Sequence, residues 1–532
     1  MGLSEYLVTD DLTILLGLTT ASIFLLYNLY KPQPLVHPIL LGRQSDVARV
    51  RMPGESAVHR NYATGLMGRF TIRPSREIMT VLDLIKPESD APRSLWSTKI
   101  SNSHLAERVN ALGTGLRLAG LTRESNVLLL LNDSLEFLIT ELALASHSIP
   151  SSTLSSSSLL SPVLESHPPS AIVVEGSLVP HVLELIYELN EFGHHLIIVV
   201  GQTDEKILSQ ASSHAKLVRW NDIEAQGKAA PPITGSAPGP DDVFNISFYR
   251  DANNDVRCGH LTHQNITAGV TAIRALLPMS SYLSALDTVI SAHSLSTAFG
   301  RTVAYTALNS HFPPATVFFL KPNHLDAVVD AIISNAKRSF LFPLAWRHKL
   351  AGILEGYLTK ESLWDRLVFD DARSIVFGEG APPIRAVVVS DGSVPASILT
   401  PARIALSVPL VIAHTHSLAS APILASHPHD VQTFAVKSDQ DLASVGAPTV
   451  NIEVKLVGVD DGAVERGDDP GGVLYVRGPI VGRVLVATDG PEADESKTDG
   501  SWVSTGDRAR VQTNGAFKAW TTAKPIGDQL EA

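Results

Sequence analysis

The stretch NVLLLLND, residues 126–133, followed by SLEFLITELALASHS, residues 134–148, indicates the fold class of this 532-residue chain. The first part is a continuous apolar run between polar turns, which is typical of a strand buried in a parallel sheet. The second part spaces its apolar residues at helical intervals. A helix is also predicted from Leu105 to Leu118, and strands at AIVV (171–174) and HLIIVV (195–200). Helices that alternate with strands predict an α/β domain with a parallel sheet.

A Pro- and Gly-rich stretch, APPITGSAPGPDD at 230–242, predicts a linker between this half and a second one. Further apolar runs in the second half predict strands at FNISFY, DTVIS, ATVFFL, RSFLF, AVVVS and LVIAH. The tail VNIEVKLVGVDDGA, followed by GGVLYVRGP, predicts β-hairpins. We expect these hairpins to form part of a small barrel.

Composition narrows the range of functions. The net charge of −12 and the lack of a Lys- and Arg-rich run argue against a nucleic-acid surface. The single cysteine, Cys258, excludes an internal disulfide and a cysteine-based zinc site, and indicates a reducing compartment. Two histidine pairs could suggest a metal, but no carboxylate or cysteine cluster accompanies them, so we predict no metal site and interpret them as solvated or core histidines. The pairs are His414 with His416 and His427 with His429.

A membrane anchor is predicted at residues 12–30, LTILLGLTTASIFLLYNLY, which carry no charge. The run is close to the ~20 residues that a helix needs to cross a bilayer. Aromatic side chains at its end and an excess of cations after it indicate an anchor whose following body lies in the cytosol. These flanking residues are Tyr27, Tyr30, Lys31, Arg43, Arg49 and Arg51, with Asp10 and Asp11 on the other side.

A cleaved signal peptide is the alternative to this anchor. Residues 1–11 are acidic and no small-residue cleavage site follows the apolar run, so the sequence favours the uncleaved anchor. A cytosol-facing body with a lipid-soluble substrate would suit the endoplasmic reticulum, the mitochondrial outer membrane or the peroxisome.

Five separated segments, in this order and at this spacing, resemble the long-chain acyl-CoA synthetase branch of the adenylate-forming superfamily. The resemblance spans roughly residues 100–520. It implies the large N-terminal domain of that superfamily, with two parallel-sheet α/β subdomains and a small β-barrel, here preceded by one transmembrane helix. The segments are DDVFNISFYRDANNDVRCGHLTHQN (241–265), SLWDRLVFDDARS (362–374), AVVVSDGSVPASILT (386–400), SVGAPTVNIEVKLV with GGVLYVRGP (444–479) and DGSWVSTGDRARVQTNGAFK (499–518).

The resemblance also implies how the chain is divided. Members of the family continue through an Asp-Arg hinge into a C-terminal domain with a catalytic lysine, whereas this chain has Thr521 and Thr522 at the hinge, and we expect that domain to be missing. The predicted divisions are a lumenal or outer N-terminus at 1–11, the anchor at 12–30, a linker and lead-in at 31–100, a first α/β subdomain at 101–230, a second with degenerate AMP-binding motifs at 240–425, a β-rich subdomain at 426–520 and a tail at 521–532.

Members of this family use ATP and Mg²⁺ to turn a fatty acid into an acyl-adenylate, and then transfer the acyl group to coenzyme A. Their phosphate loop is rich in Ser, Thr and Gly and ends in Pro-Lys-Gly, because small residues let backbone N–H groups surround the phosphates. Here the loop reads YRDANNDVRC, residues 249–258, in which Arg257 takes the lysine position. Asp251 and Asp255 add negative charge where phosphate would bind, so normal ATP binding is not expected. An ordinary surface turn is the simpler interpretation of this composition.

The other nucleotide motifs are altered in the same way. The family's Tyr-Gly-x-Thr-Glu run becomes His414-Thr415-His416-Ser417-Leu418, in which Ser417 keeps a hydroxyl for the phosphate but Leu418 cannot bind Mg²⁺. The adenine loop is matched by DGSVP (391–395), which keeps a turn at Gly392. The family's active-site histidine is matched by Thr297.

One nucleotide motif is retained, the run Thr505-Gly506-Asp507. In the family its aspartate accepts hydrogen bonds from the ribose hydroxyls, so Asp507 is the best single candidate for nucleotide contact. A turn aspartate kept for a hairpin is the alternative interpretation. No catalytic residue is predicted, and the predicted nucleotide-binding residues are Asp507, Thr505, Arg257, Ser417 and Gly392.

Three functional hypotheses follow from these motifs. The first is a membrane-anchored pseudoenzyme that binds fatty acid, acyl-CoA, a nucleotide or a protein partner without efficient adenylation. The second is an active but divergent long-chain fatty acid–CoA ligase, which alone would require ATP and Mg²⁺ as cofactors. The third is a structural membrane scaffold with an empty cleft.

Overall fold

The computed structural model describes residues 11–30, 36–65, 68–86, 92–188, 196–203, 216–233, 237–251, 253–277, 287–308, 315–380, 383–434, 441–486 and 502–520. Residues 1–10 of the predicted N-terminal segment 1–11, the cation Lys31 and the tail with Thr521 and Thr522 lie outside these residues.

Strands and helices alternate through most of the described chain, as expected for an α/β protein. The strands, numbered in chain order, are β1 Ser45–Arg49, β2 Val58–Asn61, β3 Arg93–Leu95, β4 Thr98–Ile100, β5 Val127–Leu130, β6 Ser151–Leu154, β7 Ala171–Glu175, β8 Leu196–Val200, β9 Lys216–Arg219, β10 Val243–Arg250, β11 Val256–Thr262, β12 Asp287–Ser291, β13 Ala315–Leu320, β14 Ile384–Val389, β15 Leu410–His414, β16 Leu424–Ala425, β17 Ala447–Pro448, β18 Glu453–Val457, β19 Gly471–Arg477, β20 Arg483–Val486, β21 Val503–Val511 and β22 Phe517–Trp520. The α-helices are Asp11–Tyr30, Pro38–Leu41, Asn102–Leu118, Leu135–Ala145, Leu160–Ser166, Val179–Glu188, Trp220–Ala229, His263–Arg274, Ala298–Leu308, Pro322–Ala336, Phe342–Leu354, Asp370–Phe377, Ala396–Leu406 and Asp461–Glu465.

The stretch 126–148 folds as its pattern predicts. β5 is almost fully buried, and the next helix begins after Ser134, whose Oγ accepts a hydrogen bond from the backbone N–H of Phe137 at 3.2 Å. This contact satisfies one of the free N–H groups at the helix start. The helix Leu135–Ala145 is buried along its whole length. It therefore forms part of the core.

The first sheet has eight strands in the order β20-β11-β10-β6-β5-β7-β8-β9. The strands from β10 to β9 run parallel, and β11 and β20 are added antiparallel at one edge. Because β10 and β11 follow the predicted linker at 230–242, this sheet combines residues from both sides of that linker.

The second sheet has six strands in the order β12-β13-β14-β15-β16-β17, of which β12 to β15 are parallel. The predicted strands DTVIS, ATVFFL, AVVVS and LVIAH are confirmed as β12 to β15. The predicted strand RSFLF is wrong: these residues form a turn that leads into the helix Phe342–Leu354. Pro343 lies in the first turn of this helix, where a missing N–H group costs nothing.

The third sheet is antiparallel, with the order β1-β2-β18-β19-β21-β22. The predicted hairpin of β18 and β19 is confirmed. The backbone N–H of Gln44 donates to Asn514 O at 2.7 Å, and the Ser45 hydroxyl donates to Gly515 O at 2.7 Å, so β1 lies beside the turn before β22. The sheet therefore curls back on itself as a small barrel, and its first two strands come from the predicted lead-in.

A buried ion cluster, the Asp365 cluster, lies among the helices that cover the second sheet. The Asp365 carboxylate, with a fully buried side chain, accepts hydrogen bonds from Lys349 Nζ at 2.7 and 2.9 Å and from Arg373 at 2.8 Å. Burial lowers the pKa of Lys349 to about 8, although the charge of Asp365 opposes this shift. Arg373 also donates to the carbonyl of Ala405, at the end of a neighbouring helix. The cluster thus ties three covering helices together.

The N-terminal helix Asp11–Tyr30 covers the predicted anchor, and the apolar side chains from Leu12 to Leu25 are largely exposed. Among the residues that the structure describes, none of the helices combines the length and the apolar character needed to cross a bilayer. The anchor therefore stays a prediction.

Candidate functional site

The candidate site lies where the parallel strands of the second sheet end. In open α/β sheets, ligands bind at the carboxyl ends of the strands. β12, β14 and β15 are followed by His293, Asp391 and Thr415 respectively, and sheet order brings these three residues to one edge. His414 and Asp507 form a separate hydrogen-bonded pair next to Thr415, and we call the five residues the cleft cluster.

Asp391 joins the ends of three strands. Its Oδ2 lies 3.1 Å from His293 Nδ1, and its Oδ1 accepts a hydrogen bond from the Thr415 hydroxyl at 2.5 Å. Burial alone would raise the pKa of this carboxyl, but these contacts and the charge of Lys321 outweigh it and hold the pKa below its ordinary value. Asp391 has φ +63°, a left-handed conformation that is uncommon for a residue with a side chain. A position of this kind persists only when its surroundings fix it, as these hydrogen bonds do here.

Ser390, His293 and Asp391 form a hydrogen-bonded chain that has the order of a Ser-His-Asp triad. Ser390 Oγ lies 3.1 Å from His293 Nε2, on the other side of the ring from Asp391. Ser390 is fully buried within its strand layer, so a substrate carbonyl cannot reach its hydroxyl. These hydrogen bonds therefore orient the His293 ring, and Ser390 does not act as a nucleophile.

The retained motif meets this edge from the barrel. Asp507, on β21, is 4% exposed, and its Oδ2 lies 3.0 Å from His414 Nε2 at the end of β15. The Thr505 hydroxyl donates to the carbonyl of Leu474 at 3.0 Å and accepts from the backbone N–H of Asp507 at 3.2 Å. Thr505 thus orients Asp507, and the Asp507 carboxylate is bound by a side chain of this protein.

Arg257 lies on β11, beside the turn that replaces the phosphate loop. Its Nε donates to Asp251 Oδ2 at 2.9 Å. The other oxygen of Asp251 accepts the backbone N–H groups of Asn253 and Asp255, each at 2.9 Å. Asp251 therefore holds the turn closed and pairs with the cation at the family's lysine position, which agrees with the turn interpretation of this loop.

The remaining predicted residues lie around the same edge. A Cβ at Gly392 would lie 3.0 Å from Cγ of Pro322, a tight contact that would require the proline ring to shift by a few tenths of an ångström. Leu418 is fully buried, and its Cδ2 lies 3.2 Å from where a Cβ of Gly259 would be. Ser417, just before it, is partly exposed. Leu418 is therefore a packing residue between β11 and the end of β15.

His416 lies where all three sheets meet. It follows β15, its ring centroid is 5.3 Å from that of Tyr249 on β10, and it hydrogen-bonds to the backbone of Thr505 on β21. Burial lowers the pKa of His416, and the negative charge of Asp507 acts in the opposite direction. A neutral imidazole here forms part of the packing between the sheets.

Within the described part of the chain, no group of three or more His, Cys, Asp or Glu side chains could hold a metal ion. The ring centroids of His427 and His429 lie 5.7 Å apart with the ring planes tilted by 55°, and burial lowers the pKa of both. Since Leu418 is buried where the family has its Mg²⁺ ligand, these residues do not fit that ion.

The sequence motifs did not single out His293. It lies 98 residues from Asp391, and the matched position Thr297 instead caps a helix, where its hydroxyl accepts from the N–H of Gly300. The signal that could have found His293 is a polar residue directly after a predicted parallel strand.

Comparison with known proteins agrees with this architecture. No family model matches the chain. Long-chain-fatty-acid–CoA ligase 1 of Homo sapiens is 24% identical over 374 residues, which are 66% of this chain and 50% of that protein. Long-chain-fatty-acid–CoA ligase 1 of Schizosaccharomyces pombe is 25% identical over 349 residues, 60% of this chain and 48% of that protein. The chain thus spans about half the length of the curated relatives it matches.

Solved structures share the fold. An anthranilate CoA ligase in complex with anthranoyl-AMP matches with a TM-score of 0.59 at 13% identity, over 85% of this chain and 78% of that one. A long-chain-fatty-acid-CoA ligase from Archaeoglobus fulgidus matches with a TM-score of 0.57 at 13% identity, over 86% of each chain. The α/β adenylate-forming fold predicted from the sequence is therefore confirmed.

Proposed function

We propose that this long-chain acyl-CoA synthetase-like protein of lipid metabolism is membrane-anchored and does not carry out efficient adenylation. Its ligands would be a fatty acid or an acyl-CoA, with a protein partner as a further binding class. The observation that carries the proposal is that the residues matched to the nucleotide site already bind one another.

Asp507 gives the strongest support. To hold a ribose, its carboxylate would need acceptor positions that ligand hydroxyls can reach, but Oδ2 already faces His414 and only 6% of the side chain is exposed. Arg257, the cation matched to the phosphate lysine, pairs with Asp251 at 2.9 Å. Breaking a charged hydrogen bond of this kind costs about 1.5–3 kcal/mol. ATP would have to compete with both pairs.

Catalysis of adenylation would also require charge neutralisation at the phosphates. In this chain the family's metal-ligand position holds a buried leucine, and a carboxylate lies beside Arg257. ATP and Mg²⁺ are therefore cofactors only under the alternative of an active enzyme.

The membrane part of the proposal rests on the uncharged run at 12–30 and on the cations that follow it. It places the protein as a single-pass membrane protein with its body in the cytosol, at the endoplasmic reticulum, the mitochondrial outer membrane or the peroxisome. An acyl ligand that partitions into lipid would be available at such a surface.

A divergent active ligase is the second candidate, and the retained run Thr505-Gly506-Asp507 favours it. Pyrophosphate release separates the two candidates. The full chain in nanodiscs is given ATP, Mg²⁺ and fatty acids of several chain lengths, with an intact long-chain ligase as the positive control. We expect no release above background. Turnover comparable with the intact ligase would overturn the proposal and establish the second candidate.

A further inference from the structure

A groove opens among three of the helices that cover the second sheet. Helices Pro322–Ala336 and Phe342–Leu354 each pack on helix Ala396–Leu406 but contact each other little, and a space of about 290 Å³ lies among the three. We call this space the helix groove. It is lined by Asp326, Asp330, Ile333 and Lys337 from the first helix and its end, by Phe342 and Trp346 from the second, and by the start of the third. None of the lining residues belongs to the cleft cluster.

The charges along the helix groove change sign from one end to the other. Its four residues from the first helix follow one another at steps of four, three and four residues, so their side chains lie on one face of that helix. Asp326 and Asp330 come first, Ile333 follows, and Lys337 comes last. Asp330 and Lys337 are two turns apart, about 10 Å along the helix axis. The groove therefore has a negative end and a positive end, with an apolar side chain between them.

These three charged groups have no partner within the described part of the protein. Among the residues that the structure describes, none forms a hydrogen bond or an ion pair with the side chains of Asp326, Asp330 or Lys337. The neighbouring Asp365 cluster is different, because Asp365 and Asp370 both pair with Arg373 at 2.8 Å. Both ends of the helix groove are therefore available to a charged ligand.

The second helix contributes aromatic side chains to the helix groove. Phe342 and Trp346 lie one turn apart, with their ring centroids at 5.6 Å. Within the described ranges no lysine or arginine lies over the Trp346 ring, and its indole N–H has no hydrogen-bond partner. Indole faces attract cations more strongly than other aromatic rings do, and quaternary ammonium groups are commonly bound in this way. A cation in this groove would contact carboxylates from one helix and an aromatic side chain from another.

We propose that the helix groove binds a small zwitterion with a quaternary ammonium group and a phosphate, the chemistry of phosphocholine. A ligand with only a positive charge would be repelled by Lys337, and one with only a negative charge by the two carboxylates. The ammonium group lies between Asp330 and Trp346, and the phosphate lies at Lys337. The volume is near the lower limit for a ligand pocket, which suits a ligand of this size. The proposal depends neither on the predicted anchor nor on the state of the nucleotide cleft.

The test uses the full chain in nanodiscs of phosphatidylglycerol, a lipid that carries no ammonium group. Phosphocholine, choline, phosphoethanolamine and inorganic phosphate are titrated separately by calorimetry. We expect saturable binding of phosphocholine, weaker binding of choline and phosphoethanolamine, and none of inorganic phosphate. Glycerophosphocholine distinguishes two sources of the ligand, since it has the phosphodiester of a lipid headgroup. Equal affinity for it would point to a lipid headgroup, and a preference for phosphocholine to the free monoester.

Two substitutions at exposed positions test the two ends of the groove separately. Asp330→Asn should weaken the binding of phosphocholine and of choline about three-fold, the effect of a partly exposed charge pair. Lys337→Gln should weaken phosphocholine by a similar factor but should not weaken choline. Asp371→Asn, at an exposed position outside the groove, is the control and should change neither.

Absence of saturable heat with phosphocholine would overturn the proposal. Unchanged affinities in both Asp330→Asn and Lys337→Gln would also overturn it, since binding would then occur elsewhere. Equal affinities for choline and phosphocholine would contradict the role of Lys337, and equal affinities for phosphoethanolamine and phosphocholine would contradict the selection of a quaternary ammonium group.

Discussion

The Asp365 cluster joins helices that cover the second sheet, and the cleft cluster lies at the ends of its strands; their carboxylates Asp365 and Asp391 differ in burial. The Asp365 side chain is fully buried and faces two cations, whereas Asp391 keeps a third of its side chain exposed and bonds a histidine and a threonine. A buried charge that loses its partners destabilises the fold, while a partly exposed one is still solvated. Loss of the Asp391 contacts should therefore destabilise the fold less than loss of the Asp365 contacts.

The largest effect is expected from Asp365→Ala. The substitution leaves Lys349 and Arg373 buried without their shared partner, so stability should fall by about 3–5 kcal/mol. Denaturant unfolding of the full chain measures this loss. Asp370→Ala is the control, because Asp370 is nearly half exposed and pairs with the same Arg373. If both substitutions lowered the free energy of unfolding by the same small amount, burial of Asp365 would not matter, and the difference proposed between the Asp365 cluster and the cleft cluster would be wrong.

Leu418→Glu restores the residue type of the family's metal ligand. Leu418 is fully buried against Gly259, so a carboxylate here should cost about 3 kcal/mol and should not produce Mg²⁺-dependent ATP binding. Leu418→Met, which keeps the volume, should cost less than about 1.5 kcal/mol. Thermal unfolding with and without Mg²⁺ distinguishes the two variants. Stabilisation of the Leu418→Glu variant by Mg²⁺ and ATP would contradict this expectation, since a single substitution would then restore Mg²⁺-dependent ATP binding.

We expect the folding stability to decrease at acidic pH because of His263, a buried histidine of the scaffold. Burial lowers the pKa of His263 to about 4, below its ordinary 6.5. The unfolded chain binds more protons between these two values, so stability falls as the pH drops through this window, by about 2 kcal/mol between pH 7 and 5. His263→Gln keeps an acceptor for the Val81 N–H and should remove this part of the loss. An unchanged pH dependence of unfolding in that variant would contradict the assignment.

The smallest effect is expected from Asp391→Asn in the cleft cluster. Asparagine tolerates the left-handed conformation at this position and keeps one acceptor, so stability should fall by only about 1 kcal/mol. Asp371→Asn, at an exposed helical position, serves as control. Denaturant unfolding measures the change. If Asp391→Asn lowered the free energy of unfolding as much as Asp365→Ala does, the cleft cluster would be part of the structural core.

Sequence patterns predicted the parts of the fold that depend on local chemistry. NVLLLLND predicted a buried strand because its apolar run is continuous, and the adjacent helix was predicted from its apolar spacing. RSFLF misled because a short apolar run has no clear period, and Pro343 made it a helix start. β1 and β2 were not predicted: β1 pairs only with β2, and β2 joins the sheet through β18, which lies about 400 residues further along the chain.

Only those site residues could be predicted that match a family motif by residue type alone. Asp507 and Arg257 could be matched by type, but their partners His414 and Asp251 follow from sheet order and from turn geometry. The pairing of His293 with Asp391 requires knowing that β12 and β14 end at the same edge. Local sequence does not contain that information.

Binding of ATP to the full chain in nanodiscs, measured by calorimetry with and without Mg²⁺, tests most directly the claim that the cleft residues bind one another instead of a nucleotide. We predict no saturable heat in either condition. The same result is expected for Asp507→Asn, because Asp507 is already held by His414. Micromolar, Mg²⁺-dependent binding that Asp507→Asn abolishes would contradict the account.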